Sequence, residues 1–168
     1  DRVAVFVVRG RRRGEGLTGQ RLDDTRMAIV EVAVRAVHLV VAATWVGAVF
    51  FYAFGVLPLA REGSLNAAPL ERFTERLQVG SRIASVLLLL SGGYMISLAG
   101  YEDTLLSSPA GYLVLAMVAL WLALTGLVEV GAARVLAGAE DLKVRTPGKR
   151  GTPFLRVATL VGVLLLVD

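Results

Sequence analysis

Four apolar runs separated by charged stretches set the pattern of this chain. The first spans about Ile29 to Leu59, and from Val37 to Leu59 it reads VHLVVAATWVGAVFFYAFGVLPL, with no acid or base after His38. The second covers about Val79 to Ala99 and contains SVLLLLSGGYMISLA, and the third covers about Tyr112 to Ala133. The fourth opens near Pro153 and reads PFLRVATLVGVLLLVD to Asp168. A helix rises 1.5 Å per residue and a bilayer core is about 30 Å thick, so roughly 20 apolar residues suffice to cross it. The first three runs meet that length. The fourth is short: Val157 to Val167 makes about 16 Å of helix, so it is cut off at Asp168 or does not cross fully. These runs predict an all-α fold, a four-helix transmembrane bundle over residues 27 to 168.

Residues 1 to 26 follow another pattern. DRVAVFVV can form a short strand, and RGRRRGEGLTGQRLDD is rich in glycine and arginine with no apolar period, which reads as disorder. Met27 stands just before the first apolar residues and is the expected natural start, with the preceding residues a non-native or disordered extension. In the first loop, Asn66 is placed to cap a helix and Pro69 suits its first turn. Leu70, Phe73 and Leu77 then recur at helical spacing. They form either an amphipathic lead-in at the interface or a plain extension of the second span.

Composition strengthens the membrane reading. Hydrophobic residues make up 55% of the chain, and mean hydropathy is +0.66. The net charge of +4 would ordinarily raise nucleic-acid binding. Here the basic residues lie between spans, where they set topology and touch anionic lipid, so membrane lipid is the expected partner and nucleic acid is not. Loop one holds Arg61, Arg72, Arg76 and Arg82, and loop three holds Arg134, Lys143, Arg145, Lys149, Arg150 and Arg156. Loop two has no base and carries Glu102 and Asp103. The positive-inside rule puts loops one and three in the cytoplasm of a multi-pass cell-membrane protein, with both termini outside.

Ionisable and polar groups inside lipid need a partner or a purpose. Glu31, Arg35 and His38 share one helical face, and the stripe continues through Ala42, Trp45, Val49 and Tyr52. Such a stripe on an apolar helix is expected to face the bundle interior. Glu31 and Arg35 can pair. Glu129, toward the inner end of the third span, can pair with Arg82 or serve a proton or cation relay. It lies toward the opposite face from His38, so the two do not form one catalytic pair. Ala43 with Gly47, then Gly92 and Gly126, are small residues that permit close helix approach. Ser91, Tyr94, Ser97 and Thr125 add hydrogen-bonding groups.

Three donors are expected near one membrane face: His38 early in span one, Met95 late in span two and Met117 early in span three. Imidazole with thioethers suits Cu(I), since soft ligands select soft ions. Zinc fits less well without thiolate and with one histidine, and the chain has no cysteine. Methionine packing and a histidine bonded across helices are the structural readings of the same residues. A phosphate loop, a zinc-protease motif and a serine triad are all missing from the sequence.

Several stretches together resemble the CopD family of copper-resistance membrane proteins. They are HLVVAATWVGAVFF, ERFTERLQVGSRIASVLLLLSGG and GYLVLAMVALWLALTGLVEVGAARVL, with PFLRVATLVGVLLLVD in the place of a fourth span. The resemblance covers about Met27 to Asp168. It implies a non-enzymatic four-helix membrane unit that handles or passes copper, with His38 at the family's histidine position. A soluble copper carrier and a homo-oligomer are the protein partners compatible with that role. Two other readings stay open. One is a haem-binding redox or porphyrin-oxidising membrane protein, which would need His38 from two subunits or a His–Met pair. The other is a structural membrane subunit whose polar groups only lock helices together.

Overall fold

The structure, a computed structural model, describes residues 2–100, 105–139 and 145–167; side chains are described within 20–100, 105–138 and 152–167. Glu102, Asp103, Lys143 and Asp168, and the side chains of Arg145, Lys149 and Arg150, lie outside the described set. Among the described residues every regular element is helical: α1 (Arg2–Phe51), a π-helical turn (Tyr52–Val56), α2 (Leu57–Glu62), α3 (Ala67–Leu98), α4 (Pro109–Ala139) and α5 (Arg145–Val167).

Three stretches, Gln20–Glu62, Ala67–Leu98 and Pro109–Gly138, are long and apolar enough to cross a membrane. The apolar part of the last helix, Thr152–Val167, is shorter, about 24 Å. It nevertheless packs into the bundle: Leu155 and Ala158 are fully buried. The fourth run was expected to open near Pro153, yet α5 begins at Arg145 and holds Pro153 inside. A proline forfeits one backbone hydrogen bond, and here the helix accommodates that loss.

The backbone at the N-terminus also departs from expectation. Residues 2 to 26, read as a strand and irregular chain, are helical and continuous with span one. Once a long helix exists, each further residue adds a backbone hydrogen bond without a new nucleus. In loop one, the choice between lead-in and extension resolves to one unbroken α3. Asn66 occupies its N-cap with extended backbone, but its side chain makes no capping hydrogen bond. Leu70 and Leu77 point inward, whereas Phe73 is 46% exposed.

The interior row of α3 is Leu70, Thr74, Leu77, Ser81, Ser85 and Leu88, in steps of three or four as a packed helical seam requires. Opposite it lie Ala42, Trp45 and Val49 of α1 and Tyr52 of the π turn, all buried. The outward faces are apolar too: Leu39, Val40, Leu90 and Leu160 are each about two-thirds exposed. That much outward leucine and valine matches a lipid solvent, not water.

The π turn precedes Pro58. Leu57 N–H bonds Tyr52 O, five residues back. Widening by one residue relieves the clash that a proline ring makes with the preceding turn. After α2 the chain reverses at Gly63 (φ 80°), and α3 ends before Gly100 (φ 65°); both lie in the left-handed region that favours glycine.

Of the glycines expected to allow close helix approach, Gly92 does so, beneath His38, but Gly47 and Gly126 do not. A Cβ on Gly47 or Gly126 would meet nothing within 4 Å. On Gly131 it would come within 2.8 Å of Leu155 Cγ, and on Gly162 within 3.0 Å of Val46. These two glycines let α5 sit against α4 and α1.

Candidate functional site

The stripe on α1 meets α3 through hydrogen bonds at regular intervals. His38 Nδ1 lies 2.7 Å from Ser91 Oγ. Seven residues on, Trp45 Nε1 donates to Ser81 Oγ at 2.8 Å, with both groups buried. Seven further, Tyr52 hydroxyl bonds Thr74 Oγ1. Thr74 Oγ1 also lies 2.7 Å from Leu70 O, one turn back on its own helix. The rings recur every seven residues, and their partners Thr74 and Ser81 on α3 are also seven apart, as two antiparallel helices facing each other every two turns require; Ser91, ten residues beyond Ser81, departs from that spacing. The expected inward stripe is thus real from His38 to Tyr52. Its start is not inward: Glu31 and Arg35 pair with each other at 2.7 Å on an exposed face, with side chains 45% and 59% exposed.

At the His38 end of this seam is a cavity of about 270 Å³. Its wall is contributed by His38 and Arg35 of α1, Gly92, Met95 and Ile96 of α3, Met117 and Trp121 of α4, and Leu165 of α5. The three donors expected at one depth therefore share a cavity. The imidazole packs over Gly92, where an added Cβ would stand 3.4 Å from His38 Cε1. His38 Nε2 has no hydrogen-bond partner among the described residues. Trp121 Nε1, also in the wall of the site, is buried without a partner among them.

Chemically, the residues lining the cavity include one imidazole and two thioethers in an otherwise apolar wall. Among the described residues there is no cluster of three or more His, Cys, Asp or Glu able to hold a metal. A carboxylate-rich site for a hard divalent ion is thus not found there. The soft donors are a different class and suit a monovalent ion such as Cu(I). Arg35 at the rim has its charge answered by Glu31.

No family model, curated protein or solved structure matches this chain. Its function therefore rests on the residues themselves.

The second ionisable group expected in the bundle, Glu129, is held by α3. Arg82 grips it with two bonds, Nε to Oε1 at 2.8 Å and Nη2 to Oε2 at 2.9 Å. Gln78 Nε2 adds a third at 2.7 Å. This cluster ties α3 to α4. Arg82 lies nine positions before Ser91, so the ion pair and His38 sit about 13 Å apart along the helix axis. Nearby, Arg134 stacks on Phe154 at 3.9 Å and Arg156 faces Phe54 at 5.7 Å. With both carboxylate oxygens engaged, Glu129 holds the two helices together.

Three site residues escaped the sequence reading: Gln78, Ser81 and Thr74. Serine and threonine in an apolar helix leave little pattern, because they can satisfy themselves on the carbonyl one turn back. The available signal was their place on the heptad row that also carries Leu70, Leu77 and Leu88.

Proposed function

We propose that this chain is a membrane protein that binds Cu(I) between α1, α3 and α4 and handles or passes it at the membrane. The observation that carries this reading is the convergence of His38, Met95 and Met117 on one cavity. Each comes from a different helix, so the donor set exists only in the folded bundle. Neutral soft donors can hold a monovalent soft ion with little added charge in a low-dielectric site, whereas a divalent ion would remain uncompensated. The Glu31–Arg35 pair at the rim removes a repulsive charge from the approach of a cation. The resemblance to the CopD family points to the same cargo. In this reading loops one and three, with their arginines and lysines, lie in the cytoplasm.

A structural reading has its own support in the repeated α1–α3 hydrogen bonds, which would lock the helices whatever else His38 does. What distinguishes His38 from Trp45 and Tyr52 is a second ring nitrogen with no partner among the described residues, in a side chain that lines a cavity.

The experiment is a Cu(I) titration of detergent-extracted protein against a chromophoric Cu(I) chelator, with an absorption spectrum of the same sample. One Cu(I) per chain and no Soret band is the expected result. A Soret band with no copper would favour the haem reading. Neither ligand would leave the bundle a structural subunit.

A further inference from the structure

A serine hydroxyl has one proton. Ser91 Oγ lies 2.7 Å from Leu87 O and 3.3 Å from Leu88 O. Carbonyl oxygens only accept, so the Ser91 proton is committed to the backbone of its own helix. With the proton so placed, the 2.7 Å contact between Ser91 Oγ and His38 Nδ1 would run from Nδ1–H to the serine oxygen. A neutral imidazole carries one N–H, so Nε2 holds the bare lone pair. Nothing among the described residues occupies that lone pair, and Gly92 presents no side chain to the adjoining ring edge.

We infer that Ser91 is the positioning residue of the site: it fixes His38 as the Nδ1–H tautomer and so makes Nε2 the atom offered to the cavity. The identity of the ion that Nε2 takes rests on the Cu(I) reading above; the tautomer does not. Ser91 touches no ligand. It acts by holding the ring's plane and proton, as groups hydrogen-bonded to metal-binding histidines commonly do. The arrangement also accounts for a serine directly after the leucine run Leu87 to Leu90. The oxygen is anchored by its own helix and turned toward α1, so α3 itself sets the ring's orientation.

The chain has one histidine, so labelling histidine at both ring nitrogens gives one imidazole to observe by NMR. The full chain in detergent micelles, metal-free and at alkaline pH, should show a protonated, pyrrole-type Nδ1 and a bare, pyridine-type Nε2. Ser91→Ala should shift the balance toward the other tautomer, and Ser91→Thr, which keeps the hydroxyl, should retain the original. Adding Cu(I) or Ag(I) should move the Nε2 signal far more than Nδ1. Cu(I) affinity should fall about 10- to 100-fold in Ser91→Ala and recover in Ser91→Thr. A wild-type proton on Nε2, or an unchanged tautomer balance in Ser91→Ala, would overturn the inference. If the tautomer is as stated but neither ion perturbs Nε2, the copper reading fails while the role of Ser91 stands.

Discussion

Replacing His38 with alanine should weaken Cu(I) binding by more than about 100-fold, beyond the effect expected for a supporting residue. The imidazole is the strongest donor in the cavity, and its loss leaves two thioethers, Met95 and Met117, on separate helices. Met95→Leu and Met117→Leu should each cost less, about 10- to 100-fold, because the imidazole and one sulfur remain. Leucine preserves the apolar volume, so these variants isolate the sulfur. The hydrogen bond lost in the His38 variant does not by itself unsettle the fold. Ser91 still donates to Leu87 O, so no buried donor is left without an acceptor. Competition against a chelator measures all three, with thermal unfolding in the same detergent as the control. Unchanged affinity in His38→Ala would remove copper from the account.

The largest stability effect is expected at Trp45. Its side chain is 3% exposed, and its indole N–H is bonded to a serine that is itself 1% exposed. Trp45→Ala empties the centre of the α1–α3 seam and leaves Ser81 without its donor. In water-soluble proteins such a truncation costs about 3–5 kcal/mol. In lipid the hydrophobic transfer part shrinks, because acyl chains are as apolar as a leucine core, and lost packing dominates. The expected cost is therefore near the lower end, about 3 kcal/mol. Trp45→Phe keeps an aromatic ring in the seam and gives up the hydrogen bond, for about 1 kcal/mol. Reversible unfolding in mixed micelles separates the two. Equal stability of Trp45→Ala and wild type would mean that the seam does not hold the bundle.

Much of this arrangement was legible in the order of residues. Helical periodicity placed His38, Trp45, Val49 and Tyr52 on one face, and the structure buries the last three and half-buries the first. Charge pairing within a membrane segment is scarce enough that Glu31 had one plain partner, Arg35, and Glu129 had Arg82. What could not be read was lateral. No rule of composition says which serine on α3 stands opposite a given ring on α1, since helix rotation and register are fixed by packing. The same holds for glycines: Gly47 and Gly126 have the spacing or company of packing residues, yet Gly131 and Gly162 make the close contacts. Their partners, Leu155 and Val46, are common residues that advertise nothing. The π turn at Tyr52–Val56 was likewise silent, although its cause, Pro58, was in view.

The account stands on the α1 stripe turning inward within a bundle that lipid surrounds. Because the chain has no cysteine, single cysteines can be placed along residues 38 to 53 and spin-labelled without background. In liposomes, oxygen accessibility should be high at Leu39, Val40, Phe50 and Phe51 and should dip at Ala42, Val49 and Ala53, with a water-soluble relaxation agent largely excluded from the exposed positions. A profile without helical period, minima on the Leu39–Phe50 face, or free access of the water-soluble agent throughout would contradict it.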